Sequence, residues 1–339
     1  MPSAGARGAA GGVGALSDFR CAVASESRDE DLAGSASVVR AFVLLEHPGP
    51  WGVDAVRDAR MASDTGRRLA RAAADAKVRL LLVRRPGRRA TDHTGEHRVF
   101  AVQARPPYTW AETTTVADPL ELLDLDLAGL RAGRSPGLER HDDPVLAVCA
   151  HGRHDACCAE RGRPVAAALA SAYPEQTWEI SHLGGDRFAA NMLLAPDGLY
   201  YGRLDEESAV AVADARMRGE LELDHLRGRT GYGMPVQAAD VALRRRLADR
   251  TLTGPRLLER TVERTVDGEV TTATFAHGGR RYAVRVRTTS GEPTALTCRA
   301  TRANPPLRHE VLDVAELPAG RGRTSGPVAE STYRRRGTA

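Results

Sequence analysis

Several large classes of protein are ruled out by what this chain lacks. No apolar run approaches the roughly 18–20 residues that a membrane helix needs. The longest candidates, 78–84 and 143–150, are only strand-sized. The opening MPSAGARGAAGGVGALSDF is Gly-rich but has no sustained apolar stretch, which argues against a secretory signal and for a cytoplasmic protein. Lysine is almost missing: Lys77 is the only one, and 44 acidic residues nearly offset 48 basic ones. With no arginine-rich stretch interleaved with aromatics, neither nucleic acid nor a membrane is an expected partner. There is no C-x-x-C, and the vicinal pair Cys157–Cys158 is a poor substitute for a dithiol couple. The glycines of GGVGAL follow no strand, which removes a dinucleotide fingerprint. Ser181 and His182 are neighbours that project oppositely from a strand, so they form no catalytic dyad.

What remains is a chain of 339 residues, 42% hydrophobic, long enough to build more than one core. Its five cysteines, an odd number with two adjacent, suit free or metal-bound thiolates better than a disulfide framework. Apolar patterning predicts strands over 38–46, 78–84 and 97–103, with an amphipathic helix over 64–76. The order then recurs: a strand over 144–150, a helix over 159–172, strands over 176–181 and 191–195, and a turn at Pro196-Asp197-Gly198. Helices are expected within 205–220 and 235–250. From residue 262 onward, apolar and polar residues alternate between DG and HGG turns, as in an antiparallel meander.

The stretch VLAVCAHGRHDACCAERG, residues 145–162, concentrates the chemistry. Cys149 closes an apolar strand, eight residues intervene, and Cys158 stands at the start of a helix whose dipole favours a thiolate. A second strand, TWEI, runs into SHLGGDRFAAN and sets His182 and Asp186 on a loop that Gly184 and Gly185 allow to turn tightly. Two separated pairs of potential ligands point to a metal or iron–sulfur site. Each residue also has a plainer reading: Cys149 as a core thiol, His182 bonded to a carbonyl, Asp186 as a turn residue or partner of Arg187, and Cys21 and Cys298 as structural thiols.

The strings C-A-H-G-R-H-D-A-C-C-A-x-R-G, W-E-I-S-H-L-G-G-D-R-F-A-A-N and P-D-G-L-Y-Y-G-R-L together resemble the sucrase/ferredoxin-like family. C-A-V-A-S-E-S at Cys21 and H-P-G-P-W-G at 47–52 resemble its bacterial members, so the similarity runs over roughly residues 18 to 240. The resemblance implies an α/β protein with a thioredoxin-like fold, a [2Fe–2S] cluster and electron transfer as a ferredoxin, with redox proteins as partners. It implies two thioredoxin-like units over 17–135 and 136–245, followed by a small β-rich, α+β extension over 246–318. Residues 1–16 and 319–339 are expected to be disordered.

On this resemblance Cys149 and Cys158 hold one iron, and His182 holds the other. The fourth position departs from the pattern. Where related ferredoxins resemble H-x-x-x-H or C-x-x-x-C, this chain has Asp186, an uncommon cluster ligand; Cys157, His151 and His154 are the possible substitutes. C-A-H at 149–151 mimics half of a Rieske box, but no second half follows. Structural zinc on Cys149, Cys158, His182 and either His151 or His154, in a non-redox binding module, is one alternative. An enzyme using the thiols directly is the other.

Overall fold

The computed structural model describes residues 18–62, 64–87 and 95–318, so the stretches 1–16 and 319–339, expected to be disordered, lie outside the described residues. In chain order the first half comprises α1 (Cys21–Ser27), β1 (Ala41–Glu46), α2 (Thr65–Asp75), β2 (Arg79–Arg84), β3 (His97–Gln103), β4 (Trp110–Val116), α3 (Leu127–Ala132) and β5 (Glu139–Arg140). The second comprises β6 (Val145–Cys149), α4 (Ala156–Ala172), β7 (Thr177–Ile180), β8 (Met192–Ala195), β9 (Leu199–Tyr201), α5 (Glu206–Met217) and β10 (Leu226–Arg229). Then come α6 (Met234–Leu247) and four long strands, β11 (Arg256–Thr265), β12 (Gly268–His277), β13 (Arg280–Ser290) and β14 (Leu307–Leu317).

The first ten strands form one curled mixed sheet in the order β10-β9-β8-β6-β7-β2-β1-β3-β4-β5. β1 and β6 are its two centres. Each is buried along its length and lies between a parallel neighbour, β2 or β7, and an antiparallel one, β3 or β8. Their unbroken apolar runs, AFVLL and VLAVC, are what a strand covered on both faces requires. The halves join edge to edge where β2 and β7 pair antiparallel, Val83 opposite Ile180 and Arg84 opposite Glu179. Arg84 Nε and Glu179 Oε2 close that seam at 2.7 Å.

One apolar cluster runs along one face across both halves and contains Phe42, Leu44, Phe100, Ala147, Trp178 and Tyr200. On the other face the halves keep separate cores. The amphipathic α2 packs Leu69 in one cluster with Val43 and Leu82 and buries Ala73 beside it. Behind β6 and β8, α4 and α5 bury Val165, Leu169, Val212 and Ala213. α4 approaches β6 so closely that a Cβ on Gly162 would lie 2.0 Å from the Cys149 carbonyl oxygen. It also starts earlier than its apolar pattern suggests, because Asp155 caps it by accepting the Cys157 N–H at 2.9 Å. Cys157 and Cys158 therefore stand in its first turn.

The last four strands make the expected antiparallel meander, β11-β12-β13-β14, with a fourth strand that alternation alone did not reveal. One face of it packs on α6, where Val236, Ala239 and Leu243 meet Phe275, Val284 and Val286. No helix among the described residues is long and apolar enough to cross a membrane.

Candidate metal centre

β6 and β7 are parallel neighbours, with Cys149 opposite Ile180. The loops that follow them therefore leave the same end of the sheet and face one another, the usual place for a ligand in an α/β sheet. This pairing brings residues 149–158 and 182–186 together. Gly184 and Gly185 both take left-handed conformations (φ 94° and 78°), as a turn this tight requires. Arg79 Nη2 donates to the His182 carbonyl at 2.9 Å. Arg227, buried to 1% exposure, donates to Gly184 O (2.9 Å), Asn191 Oδ1 (2.7 Å), Ser35 O (2.6 Å) and Ser35 Oγ (3.1 Å). Neither arginine stood out in the sequence, since nothing there places β2 or β10 beside this loop.

Asp186 is the hub. Its carboxylate is 2% exposed and accepts from Cys158 Sγ at 3.2 Å. Oδ1 lies 2.8 Å from His182 Nδ1, and Oδ2 lies 3.8 Å from His154 Nε2. The His182 contact is too poorly aligned to be a hydrogen bond, and Nδ1 has no other partner. Burial pushes the Asp186 carboxyl up, but His182, His154 and Cys158 together hold it below the ordinary range. Arg187, a possible partner of Asp186 on sequence grounds, pairs instead with Glu30 at 2.6 Å.

The hydrogen bond with Cys158 lowers the Cys149 thiol, assisted by His182 and the Leu183 N–H, while the same bond and burial push Cys158 well up. Cys158 Sγ donates to Asp186 Oδ1. Cys149, Cys158, His182 and Asp186 thus converge, and His154 stacks on His182 with ring centroids 3.7 Å apart. His151 is held at a distance: its Nε2 contacts the Gly52 carbonyl at 2.7 Å and its ring stands edge-on to Trp51. His154 Nδ1 lies 3.3 Å from the Val53 carbonyl. The H-P-G-P-W-G segment of the first half therefore roofs the site in the second, and a cavity of about 320 Å³ lined by Val53, Leu81, His151, His154 and His182 opens to solvent beside it.

This chain belongs to the sucrase/ferredoxin-like family. The family model matches residues 32–228, which include both loops and the strands that carry them. No curated protein and no solved structure matches the chain. Cys21 and Cys298 lie outside the matched residues.

Those two cysteines are not scattered. The vicinal pair divides: Cys158 faces Cys149, while Cys157 packs with Cys21, Ala189 and Cys298. Cys157 Sγ is 3.4 Å from Cys298 Sγ, which is 3.5 Å from Cys21 Sγ, and both Asp155 oxygens lie 3.7 Å from Cys21 Sγ. All five cysteines are free, and the Cys21, Cys157, Cys298 and Asp155 group could hold a metal ion. Cys157 is drawn down to about 6, first by its bond with Cys21 and then by the Ala22 N–H. Burial lifts Cys298 to about 11. In the sequence the only hint of this grouping is the adjacency of two cysteines, which could serve one centre only through an awkward backbone.

Proposed function

We propose that this protein is an electron carrier whose second half, a thioredoxin-like unit, holds a [2Fe–2S] cluster on Cys149 and Cys158 at one iron and His182 and Asp186 at the other. The observation that carries the reading is the convergence of these four side chains from two loops at one end of the sheet. Their donor set fits: two buried thiols, a buried carboxylate, and an imidazole nitrogen with no aligned hydrogen bond. The strand order supports a thioredoxin-like relation between the halves, since β2-β1-β3-β4 and β7-β6-β8-β9 have the same order and sense.

Bound there, the cluster supplies a one-electron redox centre. The chain's own residues do the rest. Arg79 and Arg227 fix the His182–Asp186 loop, so little reorganisation accompanies a change of charge. The apolar cluster that encloses Cys149 and Cys158 keeps water from the thiol side. His182 and His154, 26% and 32% exposed, form the edge through which a redox partner reaches the site.

Anaerobically purified full-length protein is expected to contain iron and acid-labile sulfide in equal amounts and to bleach with dithionite. Cys149→Ser and Cys158→Ser each lose both. Colourless protein without sulfide refutes the reading. A mononuclear zinc is the second reading, favoured by His154, His182 and Asp186, whose ligand atoms lie within 4.8 Å of one another. Zinc without sulfide, lost on His154→Ala, supports it.

A further inference from the structure

Cys21, Asp155, Cys157 and Cys298 form a second centre. They come from three segments far apart in the chain: α1, the cap and first turn of α4, and the connection between β13 and β14. Three thiols meeting one carboxylate need an explanation beyond packing. Asp155 is fully buried, and its charge is met by the backbone N–H of Cys157 (2.9 Å) and of Cys298 (2.7 Å). The Cys21 N–H donates to Cys298 Sγ at 3.4 Å, so backbone donors surround the sulfurs as well. Arg20 and Arg161 flank the group, each neutralised by its own carboxylate, Glu160 and Glu26.

The spacing selects the occupant. A tetrahedral zinc with Zn–S arms near 2.3 Å and a Zn–O arm near 2.0 Å has S···S edges of about 3.8 Å and S···O edges of about 3.5 Å. The distances here are 3.4 and 3.5 Å between sulfurs and 3.7 Å from sulfur to oxygen. A disulfide would use two thiols and strand the third beside a buried carboxylate. One divalent ion satisfies all four groups, and sulfur-rich closed sets favour zinc.

We propose that Cys21, Cys157, Cys298 and Asp155 bind one structural Zn²⁺, independently of any cluster on Cys149 and Cys158. Binding releases the thiol protons to solvent and leaves no open coordination position, so the ion is a clamp. It ties the C-terminal sheet and the N-terminal helix to the turn that carries Cys158. That assigns the two adjacent cysteines to two adjacent centres.

The test uses the full-length chain purified under reducing, anaerobic conditions, with zinc and iron measured together. About one zinc per chain is expected, with an X-ray absorption signature of roughly three sulfurs near 2.3 Å and one lighter ligand. Cys298→Ala, at the least buried ligand, is expected to lose the zinc and keep the parent's iron and visible spectrum. Cys149→Ser is expected to keep the zinc, so failure of the cluster reading and failure of this one are told apart by different metals. Should Cys298→Ala fail to fold, the absorption spectrum of the parent decides alone. Parent protein that neither contains zinc nor takes up added Zn²⁺ overturns the proposal. So does zinc retained in folded Cys298→Ala, or a disulfide between any two of the three cysteines.

Discussion

Gly162→Ala sets two effects of known sign against each other. Gly162 lies within α4, where replacing glycine by alanine stabilises a helix by about 1 kcal/mol. Were the helix alone concerned, the variant would be the more stable protein. The structure predicts the reverse, because the new Cβ would lie 2.0 Å from Cys149 O, 3.0 Å from its carbonyl carbon and 3.6 Å from Ala150 Cα. All three are backbone atoms, so no side chain can rotate aside; α4 must move off β6 by more than 1 Å to restore ordinary contact. Overpacking of a tight core costs about 1–3 kcal/mol, and a clash confined to backbone belongs at the upper end. Subtracting the propensity gain leaves a net loss of about 2 kcal/mol, or roughly 3 °C in melting temperature for a unit of this size. Cys158 rides on the displaced helix while Cys149 stays with β6, so metal content should fall as well. Thermal unfolding followed by circular dichroism, with metal analysis, provides the check. A variant that melts higher than the parent, with full metal content, would refute the packing argument.

Arg227→Met leaves the Gly184 and Ser35 carbonyls and Asn191 Oδ1 without their buried donor, and should destabilise by roughly 3 kcal/mol or more; denaturant unfolding measures it, and a loss below 1 kcal/mol would show that the loop is held by other contacts. Asp186→Ala should leave the cluster labile, whereas Asp186→His should retain it with a raised potential and a steeper pH dependence, since a neutral imidazole replaces a carboxylate and adds a titrating group; protein-film voltammetry distinguishes them, and a parent-like Asp186→Ala rules that side chain out as a ligand. Burial lowers the imidazoles of His141 and His309 below the ordinary value. Because the unfolded chain binds those protons first, stability should fall as the pH drops below about 6.5, the unfolded value. His309→Gln should flatten the slope, and an unchanged slope in urea titrations from pH 7 to 5 would refute the assignment.

Elements whose cause is local can be read directly from the order of residues. Strands such as VLAVC and the amphipathic face of α2 follow from apolar period, and the turn through Gly184 and Gly185 follows from residues that tolerate positive φ. The loops that carry Cys149, Cys158, His182 and Asp186 were legible for the same reason, since each is a strand end, a glycine or cap, and a helical turn in succession. Tertiary structure decided what depends on pairing between distant segments. The antiparallel seam of β2 with β7 rests on two residue pairs that no periodicity encodes, yet it fuses the halves into one sheet and brings Arg79 to the His182 carbonyl. Arg227 reads as a surface residue until β10 carries it under the loop. The division of Cys157 from Cys158 is likewise invisible along the chain. A helix turns by about 100° per residue, so adjacent side chains face different neighbours, and only the fold places Cys21 and Cys298 beside one and Cys149 beside the other.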